Sequence, residues 1–188
     1  MTLQPAGTEL TYTVTYLEMR SRPGWGYPHT PSGPPATLLM AETPPYWYFL
    51  SLYDAVGRDY AWEDAHQQEP DELQDWLDDP AVTLHTLMCK GWPHGFFIHD
   101  ARTEGTVDLS YFGLVPEAVG RGLGTFLLRT AIQMAWDIPG TEQLTVDTCT
   151  LDHPRALQTY QKNGFTPVRR EDHTRTLRRP RDLSRIPD

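Results

Sequence analysis

Leu114-Val-Pro-Glu-Ala-Val-Gly-Arg-Gly-Leu-Gly-Thr125 is the stretch on which the reading of this chain turns. Gly105 to Val115, which reads as a strand, leads into it. Gly124 to Asp137 leads out of it, with Leu127, Leu128, Ala131, Ile132, Met134 and Ala135 on one helical stripe. The segment is therefore a turn between a strand and a helix. Gly120, Gly122 and Gly124 remove side chains where backbone N–H groups would have to approach a ligand closely. A helix start offers unpaired N–H groups and partial positive charge, which suits a phosphate. Thr125 adds a hydroxyl there and Arg121 a cation. A dinucleotide fingerprint is excluded because its last glycine would fall on Thr125, and a P-loop because no Gly-Lys-Ser/Thr closes the turn. On these residues alone, a plain glycine-rich connection stays open beside the phosphate reading.

Outward from this turn, Leu10–Tyr16 alternates at period two and reads as a half-buried strand. Seven prolines lie between Pro23 and Pro45, so residues 20–45 are expected as a Pro/Gly-rich loop without regular structure. Tyr46, Phe49, Leu50, Tyr53 and Val56 follow helical spacing; Leu73, Trp76 and Leu77 mark a second helix ended by Pro80. Val82–Cys89 and Gly95–Asp100 read as strands around a turn Lys90–His94, and Leu144–Thr150 as a further strand. Pro154–Asn163 reads as a short helix with Gly164 at its C-cap, and Thr166 opens a last strand. Residues from about 178 to 188 hold few apolar groups and are expected as a loosely held tail. The order β-αα-βββ-α-β-α-β describes one mixed α/β domain over residues 1–188.

The chain has 188 residues and a net charge of −9, enough length for a substantial core and too little positive charge for general nucleic-acid binding. No run of about 18 apolar residues exists, so a membrane span is excluded. The first ten residues carry neither a basic start nor an apolar core, so no signal peptide is expected. Cys89 and Cys149 are too few for a disulfide framework and point to a reducing, cytoplasmic compartment. The charge is uneven: Asp59 to Asp79 holds nine acids and no Lys or Arg, whereas from Arg169 onward seven arginines face four acids. The acidic run reads as the wet side of a helix whose dry side is Trp62, Leu73, Trp76 and Leu77. His85, Cys89, His94, His99 and Cys149 show no metal-ligand spacing, and no metal is expected. Asp152 and His153 beside Cys149 suggest a nucleophilic triad, against which a small core cysteine is the simpler reading. Trp25, Tyr27, Tyr46, Trp47, Tyr48 and Tyr53 are numerous enough to line a channel as well as to fill a core.

Val115-Pro116 precedes the glycines by a fixed step, and His153-Pro-Arg-Ala-Leu-Gln-Thr-Tyr-Gln-Lys-Asn-Gly-Phe165 follows one helix and one strand later. Together the two motifs resemble those of the GNAT superfamily of acetyl-CoA-dependent N-acetyltransferases, with the strongest likeness between about Val107 and Phe165. The resemblance implies a mixed, mostly antiparallel sheet with helices on both faces and strands splayed where CoA binds. It implies that Leu10–Met19 and the two helices form the family's N-terminal part. It implies that the backbone of Leu114 and Val115 pairs with the pantetheine arm, and that Gly120, Arg121, Gly122, Gly124 and Thr125 hold the pyrophosphate. His153 stands where the family has Asn, toward the pantetheine amide, and Val119 stands where it has Gln or Arg.

The same resemblance assigns the chemistry. Tyr160 matches the general acid that protonates the leaving thiolate, as a phenol of ordinary pKa near 10 can. Asp108 lies on the strand where many members carry a base glutamate, and the Val115 N–H is the implied oxyanion donor. The reading is acetyl transfer to a primary amine of a small molecule by direct attack in a ternary complex. A catalytically inactive CoA-binding sensor and a peptide N-acetyltransferase stand as alternatives. The implied partner is a small amine, with a homodimer left open.

Overall fold

The computed structural model describes residues 3–33 and 35–186. The segments read as strands become β2 (Glu9–Met19), β4 (Val82–Cys89), β5 (Trp92–Asp100), β6 (Thr106–Leu114), β7 (Gln143–Cys149) and β8 (Thr166–Thr176). With β3 (Ala36–Met40) they form a seven-stranded sheet in the order β3-β4-β5-β6-β7-β2-β8. Every neighbouring pair is antiparallel except β6 and β7. A small ribbon pairs β1 (Leu3–Gln4) with β9 (Arg181–Asp182).

The helices are α1 (Tyr46–Gly57), α2 (Pro70–Asp78), α3 (Leu123–Asp137) and α4 (Ala156–Lys162). α2 starts on a proline with Asp71 and Glu72 in its first turn, where missing N–H donors and negative charge are both tolerated. α1 buries Phe49, Leu52, Tyr53 and Val56 against one face of the sheet, where Phe49 meets Phe96 at 6.2 Å between ring centroids. On the opposite face, α3 sets Ala131, Ile132 and Ala135 against Val107, Leu109 and Leu144. His85 and His99 flank Phe97 in that core (ring centroids 4.7 and 4.8 Å). Burial lowers their pKa values to about 4 and about 3, so both are neutral core residues.

Two expectations are corrected. Residues 20–45 do contain regular structure: β3 sits between the Pro34-Pro35 and Pro44-Pro45 pairs and pairs with β4 along the sheet's edge. The proline count hid a five-residue apolar segment that carries none. The β4–β5 turn is Lys90-Gly91 alone, with φ of +54° and +85°, the two left-handed residues that a tight hairpin demands. Within the sheet, β2 lies in the far arm between β7 and β8, while β3 takes the other edge.

The C-terminal segment is not loose through residue 186, the last two positions lying outside the described residues. Leu177 is 1 % and Arg181 7 % exposed. Its cohesion is polar: the Arg181 guanidinium donates to the backbone carbonyls of Asp59 (3.0 Å) and Leu151 (2.7 Å), contacts that a count of apolar residues does not register.

Candidate active site

The site begins with a break in the sheet. β6 and β7 keep their parallel ladder at only three positions, Thr106–Gln143, Val107–Leu144 and Asp108–Thr145, and then part. The Val115 N–H donates to the His94 carbonyl at 3.0 Å, on the β5 side. Alternation along an antiparallel ladder then turns the Leu114 N–H and C=O the other way, into the gap. The Val115 amide, the implied oxyanion donor, is thus engaged on the β5 side, and among the described residues the Leu114 amide has no partner. A cleft of about 470 Å³ opens through this gap.

One half of the cleft is the glycine turn. Gly120 and Gly122 have φ of +81° and +76°, which glycine adopts without strain, and a Cβ at either would meet nothing within 4 Å. Backbone conformation, not crowding, requires glycine there. The first bond into α3 runs from the Phe126 N–H to the Gly122 carbonyl, so earlier amides have no acceptor within the helix. Leu114, Gly120, Gly122, Gly124, Thr125 and His153 all line the cleft; Val115 and Arg121 do not. His153 Nδ1 accepts from the Arg155 amide (3.1 Å), and burial first, then Arg155, lowers its pKa. The ring is neutral with Nε2 left for a partner.

Tyr160 lines the same half, packed edge-on against Phe112 and Phe165 at 6.1 and 5.9 Å. Among the described residues its hydroxyl has no hydrogen-bond partner. Burial chiefly, and then the charges of Asp152, Asp147 and Asp108, raise its pKa, so the phenol keeps its proton throughout the neutral range.

The other half is built of side chains. A bulge in β6 shifts the register between Ile98 and His99 and turns Tyr111 onto the α1 face. There Tyr53, Trp62 and Tyr111 form a continuous wall, their ring centroids 5.3–5.9 Å apart. Gly57 admits Trp62: a Cβ at residue 57 would lie 2.3 Å from the indole. The Trp62 Nε1–H donates to Asp152 (2.9 Å), which also accepts from the Thr148 hydroxyl and the Cys149 amide. These contacts occupy Asp152 as a turn cap, and burial pushes the Cys149 thiol up to about 12, so the triad reading does not form.

Asp147 is the acid of this half. Its side chain is open to the cleft, yet walls on most sides restrict its hydration. Desolvation first, then the charges of Asp108 and Asp152, push its carboxyl up to about 6. Sequence reading missed it, although alternation along β7 buries Leu144, Val146 and Thr148 and sets Thr145, Asp147 and Cys149 on the other side.

Asp108, expected as the base, is not among the cleft-lining residues. It lies where β6 and β7 are still paired, and its carboxylate accepts from the Thr145 and Ser110 hydroxyls at 2.5 and 2.7 Å. Of the aromatic group Trp25 to Tyr53, only Tyr53 reaches the cleft; Tyr27 instead bonds Asp137, Tyr48 bonds Thr86, and Trp25 lies under Arg129. Among the described residues no three His, Cys, Asp or Glu converge as a metal site requires, and no helix is long and apolar enough to cross a membrane.

The acetyltransferase (GNAT) family model matches residues 48–165, more than half of the chain, and the chain belongs to that family. No curated protein matches it by sequence. Solved structures share the fold. A conserved protein of unknown function from Staphylococcus epidermidis superposes with a TM-score of 0.61 at 14 % identity, over 90 % of this chain and 63 % of its own. A GCN5-related N-acetyltransferase from Kribbella flavida gives 0.57 at 18 %, over 86 % and 56 %. The aminoglycoside N-acetyltransferase AAC(6')-Iy in complex with CoA gives 0.54 at 19 %, over 75 % and 95 %. The chain thus spans less than two thirds of the first two relatives.

Proposed function

We propose that the chain transfers an acetyl group from acetyl-CoA to a primary amine of a small, cationic molecule. One observation carries the reading: the β6–β7 gap joins a helix-start turn of unpaired amides to an aromatic wall with an acid, within one cleft. The turn from Gly120 to Thr125 suits the pyrophosphate, with open space beside Gly120 and Gly122 for it. The free carbonyl of Leu114 suits a pantetheine N–H. When bound there, acetyl-CoA supplies the activated acyl group.

In this reading Asp147 and the rings of Tyr53, Trp62 and Tyr111 attract the amine cation. The cation first gives one proton to solvent; as the free amine nitrogen then bonds to the thioester carbon it becomes far more acidic, and Asp147, ionised above pH about 6, takes its second proton. The Leu114 N–H stabilises the oxyanion. The carbon–sulfur bond breaks and Tyr160 gives its proton to the leaving sulfur, leaving the acetylated amine and CoA thiol. The loop over residues 58–67 lines the acceptor half with Tyr60, Ala61, Trp62 and Asp64, a pocket on the scale of a small acceptor. Two free thiols, one of them buried, fit the reducing cytoplasm.

Thiol release from acetyl-CoA, measured over monoamines, polyamines, aminoglycosides, amino acids and peptides, tests the proposal. Turnover is expected with small polycationic amines. Tyr160→Phe should lower kcat and kcat/KM together by about 10²-fold while acetyl-CoA still binds. Acetyl-CoA binding without turnover on any amine would favour the sensor reading.

A further inference from the structure

The wall of the acceptor half stands on a loop that has little regular structure of its own. Residues 58–67 hold two 3-10 turns, Arg58–Tyr60 and Ala65–Gln67, and contribute Tyr60, Ala61, Trp62 and Asp64 to the cleft. What fixes this loop comes from the other end of the chain. The Arg175 guanidinium donates to the Ala61 carbonyl and, at 2.8 and 2.9 Å, to the Asp64 carboxylate. Arg179 donates to the Trp62 carbonyl (2.8 Å) and to Asp54 (3.0 Å). Arg181 bridges the Asp59 and Leu151 carbonyls and so joins the loop to the turn that opens α4. In return the Glu63 carboxylate, 5 % exposed, accepts from the backbone amides of Arg178 and Arg179 at 3.2–3.3 Å. Leu177 packs with Ala61 and Leu151 in a small second core. Nine acids without a cation in Asp59–Asp79 thus find part of their counter-charge in the arginine-rich end.

The glycine turn has no part in these contacts. Arg175 reaches the cleft on the acceptor side, and the other arginines act from behind the loop. We propose that the segment 175–185 is a positioning clasp for the acceptor half: it holds Trp62 and Asp64 in place, sets how well the amine binds, and leaves acetyl-CoA binding alone. The proposal rests on the acetyltransferase reading for the identity of the two halves, but its structural content does not.

The test compares the parent with Arg181→Met, Arg179→Gln and Arg181→Lys. Amide hydrogen exchange is read in the presence and absence of acetyl-CoA. In Arg181→Met and Arg179→Gln, exchange should rise about tenfold over residues 58–67, the loss of one or two charge-assisted hydrogen bonds, and stay within twofold of parent in β6 and α3. Acetyl-CoA affinity should stay within twofold. With the best amine from the panel, KM for the amine should rise about tenfold while kcat and KM for acetyl-CoA hold. Arg181→Lys, which keeps charge and stem but reaches one carbonyl instead of two, should recover part of both effects. Unchanged exchange over residues 58–67, or a rise spread evenly over the chain, would overturn the clasp. Failure of the parent to bind acetyl-CoA would instead overturn the functional reading, and the exchange pattern would still decide the clasp.

Discussion

The two halves of the cleft are made of different material. The glycine-turn half is mostly backbone, drawn from the stretch Leu114–Thr125, with His153 and Tyr160 added from the turn before α4 and from α4 itself. The acceptor half is side chains, drawn from β2, α1, a loop, β6, β7 and β8, with members as distant as Tyr12 and Arg175. A backbone site is specified by φ and ψ, which glycine announces locally. A side-chain site is specified by which elements become neighbours, and no local pattern announces that. The first half therefore suits a donor common to many enzymes, and the second is free to vary with the acceptor.

This contrast can be broken most sharply at Gly122. Gly122→Asp puts a branched carboxylate at a residue with φ of +76°, beside the amides proposed for the pyrophosphate. Acetyl-CoA at 100 times its Kd should stabilise the parent by about 2.7 kcal/mol, and the thermal shift should vanish in the variant. Activity should fall to background.

Asp147→Asn tests the other half and should leave that thermal shift intact. Turnover at pH 7.5 should drop about 10²-fold. The parent's rate should climb through pH about 6, because below it the carboxyl is protonated and cannot accept a proton; the variant should lack that limb. A pH profile that keeps the limb would move the base elsewhere.

Gly57→Ala should act through packing. Its Cβ would overlap the Trp62 indole, so a loss of about 1–3 kcal/mol in denaturant unfolding is expected, with a weaker grip on the amine. The smallest effect belongs to Asp108→Asn. An amide can still meet the Thr145 and Ser110 hydroxyls, and turnover should stay within about threefold of the parent. A loss of 10²-fold there would restore Asp108 as the base.

Much of the architecture was legible because its signals are local. The α3 stripe, the period-two run of β2, and Gly164 after α4 each declare an element within a dozen residues. What escaped was non-local. Asp108 and Asp147 are both acids within strands, and only the point where β6 leaves β7 distinguishes the one still paired from the one facing the gap. The bulge that aims Tyr111 leaves no residue signature here. β3 was masked by flanking prolines, and the C-terminal segment by a search for apolar residues where arginines do the holding.

The placement of β2 has a consequence for how this chain comes to be folded. Its first long strand pairs with β7 and β8, with Glu9 opposite Thr176, so it leaves the ribosome long before either neighbour exists. The hairpins β3 to β6 and the helices beside them close short loops and can assemble as they emerge. β2 must wait, its edges unpaired, until β7 and β8 are made. Such long-range closure is intrinsically slow. The second arm of the sheet, and with it Asp147, forms after the hairpin arm, so a nascent or truncated chain can own a finished glycine turn before the other half of the cleft exists.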